Sequence, residues 1–313
     1  FVDGSLQTIG ADGSAITTLE DNADQLNTSN PFYSARPSLV AEFTFNGQTV
    51  TVIDNHFSSK GGGGVLEGTD PTPLDAYEDK RAAQAQAVNT YVDSLLAANP
   101  NAKIVVAGDL NEFQFEEPMK VLEGVATVSG YTYSSSPGIS GTYTPGGTQV
   151  LTDLTTTLPA SEQYDYNFDG NAEDLDHILV SDALTSKQAF DVVHINSEFN
   201  NQTSDHDPLV TSLALGGFTV YAGQTLSSVQ TLGDGENGAV QTGGVFAVSA
   251  TGKNNVSGVT FTGGTSSLTN AGAMTATAAT GNARVVDSAS TLAAGTTIHI
   301  VNATGGSIVA NTN

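Results

Sequence analysis

Charged residues almost disappear after residue 215, and this break limits the possible folds more than any other feature. Of 33 acidic and 9 basic residues, only five follow the Gly216-Gly217 pair: Asp234, Glu236, Lys253, Arg284 and Asp287. The first 215 residues therefore carry nearly all of the net charge of −24. We predict two domains, residues 1–215 and residues 216–313, because one domain with a continuous charged surface would not show such a break.

Composition excludes several classes of protein. The chain has no Cys, which rules out a small scaffold held together by disulfides. No apolar run approaches about 18 residues, so we expect no transmembrane helix. The excess of acidic residues argues against a general nucleic-acid coat protein, because neutralising phosphates requires many Lys and Arg side chains.

The first 215 residues alternate between strand and helix patterns. Strands are predicted at 39–45, 49–57, 103–107, 177–180 and 209–215. The first two flank Asn46-Gly47, which is a strong hairpin signal. Apolar residues recur at three or four positions over 74–98, and Pro100 follows, so we predict a long helix there. Strand, long helix and strand in this order predict a layered α/β sandwich.

Polar side chains gather where four of these strands end or begin. The four stretches are DNH at 54–56, GDLN at 108–111, DLDH at 174–177 and SDHDP at 204–208. Each stretch alone fits a turn in which an Asp side chain bonds to the backbone. All four together favour a shared cleft, because side chains at neighbouring strand ends converge.

These stretches also carry a family resemblance. The runs RPSLVAEFTFNGQTVTVIDNHFSSKGG, KRAAQAQAVNTYV, AGDLNEF, LDHILVS and SDHDPLV resemble the endonuclease/exonuclease/phosphatase superfamily, and within it the secreted bacterial nucleases. The resemblance covers roughly residues 30–215. It implies a four-layered α/β sandwich that hydrolyses phosphodiesters or phosphomonoesters with Mg²⁺, Mn²⁺ or Ca²⁺.

The resemblance implies a role for each matching residue. His206 would be the general base that activates water, and Asp176 would orient and polarise its ring. Asp109 and Asn111 would position the water, the metal ion and the scissile phosphate. His56 would contact the phosphate or protonate the leaving oxygen.

Further roles concern the metal ion and the phosphate. Asp205 would bind the metal ion together with Asp109. Arg36 and Arg81 match Arg positions of the secreted nucleases and would hold phosphate, as would Asn111. The alternative for both Arg residues is a surface or interdomain salt bridge. We expect His177 to be structural.

The beginning of the sequence departs from the family pattern. Family members carry an Asn and a metal-binding Glu in their first strands, whereas residues 1–30 contain Glu20 but no similar motif. We therefore expect residues 1–215 to be the C-terminal portion of the nuclease domain. The missing N-terminal segment would be a partner, without which the chain would be inactive and would expose a sheet edge.

A second metal site is suggested by the segment 165–176. Asp165, Asn167, Asp169 and Glu173 have the spacing of a Ca²⁺ loop, with Asp176 at its last position where a Glu is usual. The alternative is a polar loop whose Asp and Asn side chains form local turns.

Residues 216–313 have a different pattern. Short β-prone runs (FTVYA, GVFAVSA, GVTFTGG and TIHIVNA) are separated by Gly and Asn. The run SLTNAGAMTATAATGNARVV resembles the repeats of bacterial surface β-helices and autotransporter passengers, which implies a β-helix-like domain for self-assembly or cell-surface attachment. The alternative is a flexible linker.

Two classes of function follow. The first is a secreted, metal-dependent nuclease acting on DNA or RNA, with a phosphatase or lipid phosphodiesterase as a variant. The second is a surface or extracellular-matrix structural protein that retains a nuclease-like scaffold. The acidic charge repels nucleic acid unless cations compensate, which favours the scaffold. The set of active-site residues favours the enzyme, and we expect it outside the cell or on the bacterial surface.

Overall fold

The computed structural model divides the chain into two compact units. Unit 1 comprises Phe1–Phe43 and Val50–Ala214, and unit 2 comprises Thr44–Thr49 and Leu215–Asn313. The structure describes residues 1–16, 27–45, 48–64, 75–131, 140–185, 188–213, 215–220, 222–233, 236–250, 256–262, 265–279, 282–288, 296–304 and 306–312.

The described residues before 215 form thirteen strands and three α-helices. The strands are β1 (Gln7–Ile9), β2 (Ala15–Ile16), β3 (Leu39–Phe45), β4 (Gln48–His56), β5 (Lys103–Asp109), β6 (Ala126–Ser129), β7 (Thr142–Pro145), β8 (Leu151–Asp153), β9 (Tyr166–Phe168), β10 (Asn171–Glu173), β11 (Asp176–Ser181), β12 (Gln188–Val192) and β13 (Leu209–Leu213). The helices are α1 (Glu78–Ala98), α2 (Glu117–Glu123) and α3 (Asp182–Thr185).

Seven of these strands form one mixed sheet, and its order determines where the polar strand ends meet. The order is β2-β1-β3-β4-β5-β11-β8. Strand β5 runs parallel to β4 and antiparallel to β11. The register pairs Asp109 with His56 on one side and with Asp176 on the other. Three polar side chains therefore lie side by side at one edge of the sheet.

Helix α1 covers a layer of apolar side chains. Ala82, Ala85, Val88 and Val92 recur at three or four positions and are buried with the apolar side chains of the sheet. The helix begins at Glu78, not at 74 as predicted, because Tyr77 has the left-handed φ of 61°. Residues 46, 47 and 65–74, including the predicted hairpin turn, lie outside the described residues.

The described part of unit 2 is rich in parallel strands. They are β14 (Phe218–Val220), β15 (Thr225–Leu226), β16 (Gln230–Leu232), β17 (Asn237–Val240), β18 (Val245–Ala250), β19 (Val256–Phe261), β20 (Thr265–Asn270), β21 (Ala273–Ala278), β22 (Ala283–Ser288), β23 (Thr297–Asn302) and β24 (Ser307–Thr312). They form three sheets, β14-β17-β20-β23, β15-β18-β21-β24 and β16-β19-β22. Each strand thus pairs with the third one along the chain.

The interior of unit 2 is apolar. Phe246, Phe261, Leu268 and Met274 are almost completely buried in one cluster. The amide of Asn270 donates a hydrogen bond of 2.7 Å to Oδ1 of Asn302 on the neighbouring strand. The prediction of a β-rich region after residue 216 is confirmed. Over the described ranges, no helix of either unit is both long and apolar enough to cross a membrane.

Candidate active site

A cavity of about 600 Å³ opens in unit 1 at the edge of the sheet where the polar strand ends meet. Its walls include His56, Asp109, Asn111, Tyr166 and His206. Four of these residues were predicted from the sequence as catalytic. The register of β4 and β5 pairs His56 with Asp109, Asn111 follows β5 by two residues, and a bridge between the backbones of Tyr166 and His206 adds His206.

Asp109 lies at the centre of this arrangement and is held by the backbone around it. Its Oδ1 accepts a hydrogen bond of 2.9 Å from the Asn111 N–H, and its Oδ2 lies 3.6 Å from Nε2 of His56. Gly108 has a φ of 128°, and a Cβ there would lie 2.0 Å from the Asn55 carbonyl oxygen. Only Gly allows β5 to approach β4 this closely.

The backbone conformation of Asn111 directs its N–H group toward the Asp109 carboxylate. Its φ of 51° is left-handed, a conformation that Asn tolerates better than most residues. Its side-chain amide donates a hydrogen bond of 3.2 Å to the carbonyl oxygen of Phe57. The GDLN stretch therefore forms a tight turn that presents the Asp109 carboxylate to the cavity.

His206 faces two carboxylates. Its Nδ1 lies 3.2 Å from Oδ1 of Asp176 and 3.7 Å from Oδ2 of Asp165. Its ring packs against Tyr166, with 4.7 Å between the ring centroids. Contacts with Asp165 and then Asp176 raise the pKa of His206 to about 10. The predicted pairing of His206 with Asp176 is present in this geometry.

Asp165 is a supporting residue whose role at this site the sequence did not reveal. It is completely buried, and its two carboxylate oxygens accept hydrogen bonds of 2.8 Å from the N–H groups of Leu175 and Asp176. Burial is the main cause that raises its pKa. Asp165 thus fixes the backbone on which Asp176 stands and adds negative charge beside His206.

The predicted Ca²⁺ loop is wrong. The segment folds as a hairpin in which β9 and β10 are joined at Asp169-Gly170, both with positive φ, a pair that favours tight hairpin turns. Asn167 accepts a hydrogen bond from the Gly170 N–H, and Asp165 is used by the backbone as above. Asp169 and Glu173 lie outside the clusters of His, Asp and Glu ligands found among the described residues.

The two Asp residues that flank His206 differ in burial and in their contacts. Asp205, predicted as a metal ligand, is exposed and lies outside the described ligand clusters. Asp207 is buried and accepts hydrogen bonds from the N–H groups of residues 195–197 and from the Ser197 hydroxyl. Burial acts to raise the pKa of Asp207, but the hydrogen bonds from Ser197, Asn196 and His194 together lower that pKa to about 2. Asp207 therefore holds the loop that carries His206.

The predicted phosphate contact of Arg81 is wrong. Its guanidinium is completely buried and donates to Glu112 at 2.7 Å, to Asp75, and to the carbonyl oxygens of Ser58 and Ala76. With four of its N–H groups bonded inside the protein, Arg81 supports the cavity wall.

Arg36 and Lys60 contrast with Arg81. Arg36 is exposed and is absent from the described walls of the cavity. Lys60, which was not predicted, does line it. The Lys60 ammonium lies 2.6 Å from Glu112, 2.8 Å from Glu116 and 2.9 Å from Asp75. Lys60 therefore partly offsets the acidic residues of the cavity.

Two residues of the cavity wall, Asp109 and His206, belong to a cluster of potential metal ligands. Asp109, Asp176 and His206 each offer an atom within 4.8 Å of the others. Burial, followed by the charge of Asp176, raises the pKa of Asp109, so the two carboxylates repel each other. A divalent cation would relieve this repulsion, and carboxylate oxygens suit Mg²⁺ and Mn²⁺. The residues present therefore fit a divalent metal ion.

Residues 14–207 match the family described as "Endonuclease/Exonuclease/phosphatase family". No curated protein matches the chain.

Solved structures to which parts of the chain are similar include the following three. Truncated TDP2 from Caenorhabditis elegans is 18% identical, with 57% of this chain and 59% of that one covered and a TM-score of 0.35. The human Nocturnin catalytic domain is 17% identical, with 57% and 52% covered and a TM-score of 0.35. The Bacteroides thetaiotaomicron mannosyl-6-phosphatase is 14% identical, with 68% and 69% covered and a TM-score of 0.34. The chain thus spans little more than half of the first two structures.

Proposed function

The chain belongs to the endonuclease/exonuclease/phosphatase family, and we propose that unit 1 is a secreted, metal-dependent nuclease that hydrolyses DNA or RNA. We include in this proposal the four-layered α/β sandwich that the family resemblance implies. The observation that carries it is the position of His206, with Nδ1 3.2 Å from Asp176, on the wall of a cavity that also contains Asp109 and Asn111.

Each residue has a part in this proposal that follows from its position. His206 takes the proton of the attacking water at Nε2, because Nδ1 faces Asp176. Asp176 fixes the orientation of the ring and stabilises its protonated form. His56, 3.6 Å from Asp109, stands where it can donate a proton to the leaving oxygen. The Asn111 side chain contributes to positioning the phosphate.

A divalent metal ion, held by Asp109 and Asp176, would neutralise the charge on the phosphodiester. The need for a cation also follows from the charge around His206. Without a cation, Asp165 and Asp176 raise the pKa of His206 to about 10, so both of its ring nitrogens carry a proton. A ring in this state cannot take a proton from water. Positive charge beside Asp176 would lower that pKa toward the range in which His206 acts as a base.

Cleavage of supercoiled plasmid by the native protein tests the proposal. We expect cleavage with Mg²⁺ and Ca²⁺, none with EDTA, and a loss of at least about a hundredfold in His206→Ala. His299→Ala is the matched control, because His299 is exposed on β23 and should leave cleavage unchanged. Equal cleavage by His206→Ala and the wild type, or no cleavage by a wild-type protein that carries the expected N-terminal segment, would contradict the nuclease.

The alternative hypothesis to a nuclease is a phosphatase or a lipid phosphodiesterase that uses the same cavity. The acidic cavity wall favours a small phosphoester over a polyanion, since Asp75, Glu78, Glu116 and Glu173 all line it. Release of phosphate from monoesters, without cleavage of plasmid, would select this reading.

For unit 2 we propose a β-helix-like repeat domain that serves self-assembly or attachment to the cell surface. The support is the pairing of every third strand in three parallel sheets, together with the bond between Asn270 and Asn302 on adjacent strands. The corresponding localisation is extracellular or on the bacterial surface. Detection of the protein only in the cytoplasmic fraction of its source would contradict it.

A further inference from the structure

A second cluster of potential metal ligands lies in the interior of unit 1. It consists of Asp153 at the end of β8, Asp174 just before β11, and His177 within β11, and their ligand atoms lie within 4.8 Å of one another. All three side chains are at most 2% exposed. The pairing of Asp153 with Leu179 places Asp153 beside His177. The cluster shares no residue with Asp109, Asp176 and His206.

The hydrogen bonds of His177 fix the state of its ring. Its Nε2 lies 2.8 Å from the carbonyl oxygen of Glu112, which only accepts, so Nε2 carries a proton. Its Nδ1 then faces Oδ2 of Asp153 at 2.9 Å and Oδ2 of Asp174 at 3.8 Å. A neutral ring would point a lone pair at two carboxylates. Either a second proton or a cation must therefore lie between them.

A proton on Nδ1 of His177 would still leave the carboxylate of Asp174 without a hydrogen bond. Both of its carboxylate oxygens are buried, and neither has a hydrogen-bond partner among the described residues. Asp153 differs, because its Oδ1 accepts a hydrogen bond from the Thr155 N–H. A buried carboxylate without partners is strongly unfavourable unless a positive charge compensates it. Two carboxylates and one neutral imidazole carry a charge of −2, which one divalent cation balances.

We propose that Asp153, Asp174 and Nδ1 of His177 bind one divalent transition-metal ion, of which Zn²⁺ fits best. One imidazole nitrogen and two carboxylate oxygens are a donor set that Zn²⁺ accepts. A ligating His commonly donates its other ring N–H to a carbonyl oxygen, as His177 does to Glu112. The ion would be structural, because it would join β8, β11 and the segment that leads to Asp176.

Metal content measured on the full-length protein tests this site. After dialysis against a Zn²⁺-free buffer, we expect one Zn²⁺ per chain by mass spectrometry. Asp174→Asn should retain less than a tenth of that amount, because it removes the charge with little change in shape. Asp109→Asn is the control: it removes a carboxylate from the other cluster and should retain the full amount.

Two further measurements keep the test decisive if Asp174→Asn does not fold. In Asp109→Asn stripped of metal, which lacks a ligand of the other cluster, one equivalent of Co²⁺ should produce visible absorption bands that one equivalent of Zn²⁺ abolishes. Zn²⁺ should also raise the thermal unfolding midpoint of the stripped protein by several degrees. No retained metal, no Co²⁺ bands and no change in the midpoint would overturn the proposal and show that the cluster holds only protons. Equal Zn²⁺ retention by Asp174→Asn would overturn it as well.

Discussion

The two units stabilise their interiors by different means. In unit 1, Arg81, Glu112 and His177 are completely buried, and each depends on a partner of opposite charge or on a hydrogen bond. In unit 2, none of the buried residues that the structure describes is charged, and the interior consists mainly of apolar side chains such as Phe246 and Leu268.

This difference indicates where chemistry is possible. Burying a charge is costly, and the cost is met only where partners hold the charge in one position. Such fixed charges can orient a general base or a metal ion, which is the role that we propose for Asp165 and Asp176 beside His206. An apolar interior stabilises a repeated strand arrangement but contains no fixed charges of this kind. This difference agrees with our proposal of hydrolysis by unit 1 and a structural role for unit 2.

The largest expected effect contrasts one Asp from each unit. Asp176→Asn should lower the rate of phosphodiester hydrolysis by about 10²–10⁴-fold, because the ring of His206 loses the charge that orients it. Asp287→Asn, in unit 2, should leave the rate unchanged. Initial rates of both variants under saturating Mg²⁺ provide the measurement. Similar rates for the two variants would remove the chemical distinction between the units.

A second contrast compares two Arg residues. Arg81→Met should destabilise unit 1 by about 3–5 kcal/mol, because Glu112 would be left buried with only part of its positive charge nearby. Arg284→Met should change the stability of unit 2 by less than about 1 kcal/mol, because Arg284 is half exposed and its ion pair with Asp287 is a surface contact. Hydrogen exchange measured on peptides from each unit separates the two effects. Comparable losses of stability in Arg81→Met and Arg284→Met would contradict this difference between a buried and an exposed Arg.

A third contrast lies within unit 2. Phe246→Ala should destabilise this unit by about 3–5 kcal/mol, because it leaves a cavity in the buried cluster. Val301→Ala is the control: Val301 is exposed, and a change of at most about 0.5 kcal/mol is expected. Denaturant unfolding followed by hydrogen exchange provides the values. If Phe246→Ala behaved like Val301→Ala, the interior of unit 2 would not be packed as described.

The smallest effect depends on pH. The pKa of Asp207 is about 2 in the folded protein, against an ordinary value near 3.8. Its contribution, about 2 kcal/mol, is complete above pH about 4 and is lost as the pH falls toward 2. Asp207→Asn should therefore flatten the acid side of the stability profile of unit 1. An unchanged profile between pH 4 and 2 would show that Asp207 does not hold the loop.

Much of the cavity could be predicted from the sequence, for a simple reason. His56, Asp109 and Asp176 each lie at the end of a strand, and the pattern of strands indicates which ends meet. His206 is recognisable from the family motif. The start of helix α1 was harder to predict. The left-handed conformation of Tyr77 is unusual for a bulky residue and has no clear signal in the sequence.

The errors concern residues whose role depends on distant partners. Arg81 has the composition of a phosphate ligand, yet Glu112 and Asp75, which neutralise it, lie 31 and 6 positions away. Asp165 has the spacing of a Ca²⁺ ligand, yet the backbone of β11 uses its carboxylate. Asp205 is exposed, whereas Asp207 is buried because its carboxylate accepts hydrogen bonds from the N–H groups of residues 195–197. Spacing along the chain does not reveal such partners.

Hydrolysis of a small phosphodiester tests the central claim most directly, because it does not depend on which natural substrate is cleaved. Bis(p-nitrophenyl) phosphate would be incubated with the native protein, with His206→Ala and with His299→Ala, each with Mn²⁺ and with EDTA. The account predicts release of nitrophenol that requires Mn²⁺, survives in His299→Ala and is lost in His206→Ala. Release that persists in His206→Ala, or that is absent with every metal tested from a wild type carrying the expected N-terminal segment, would contradict the assignment of the cavity as a hydrolytic site.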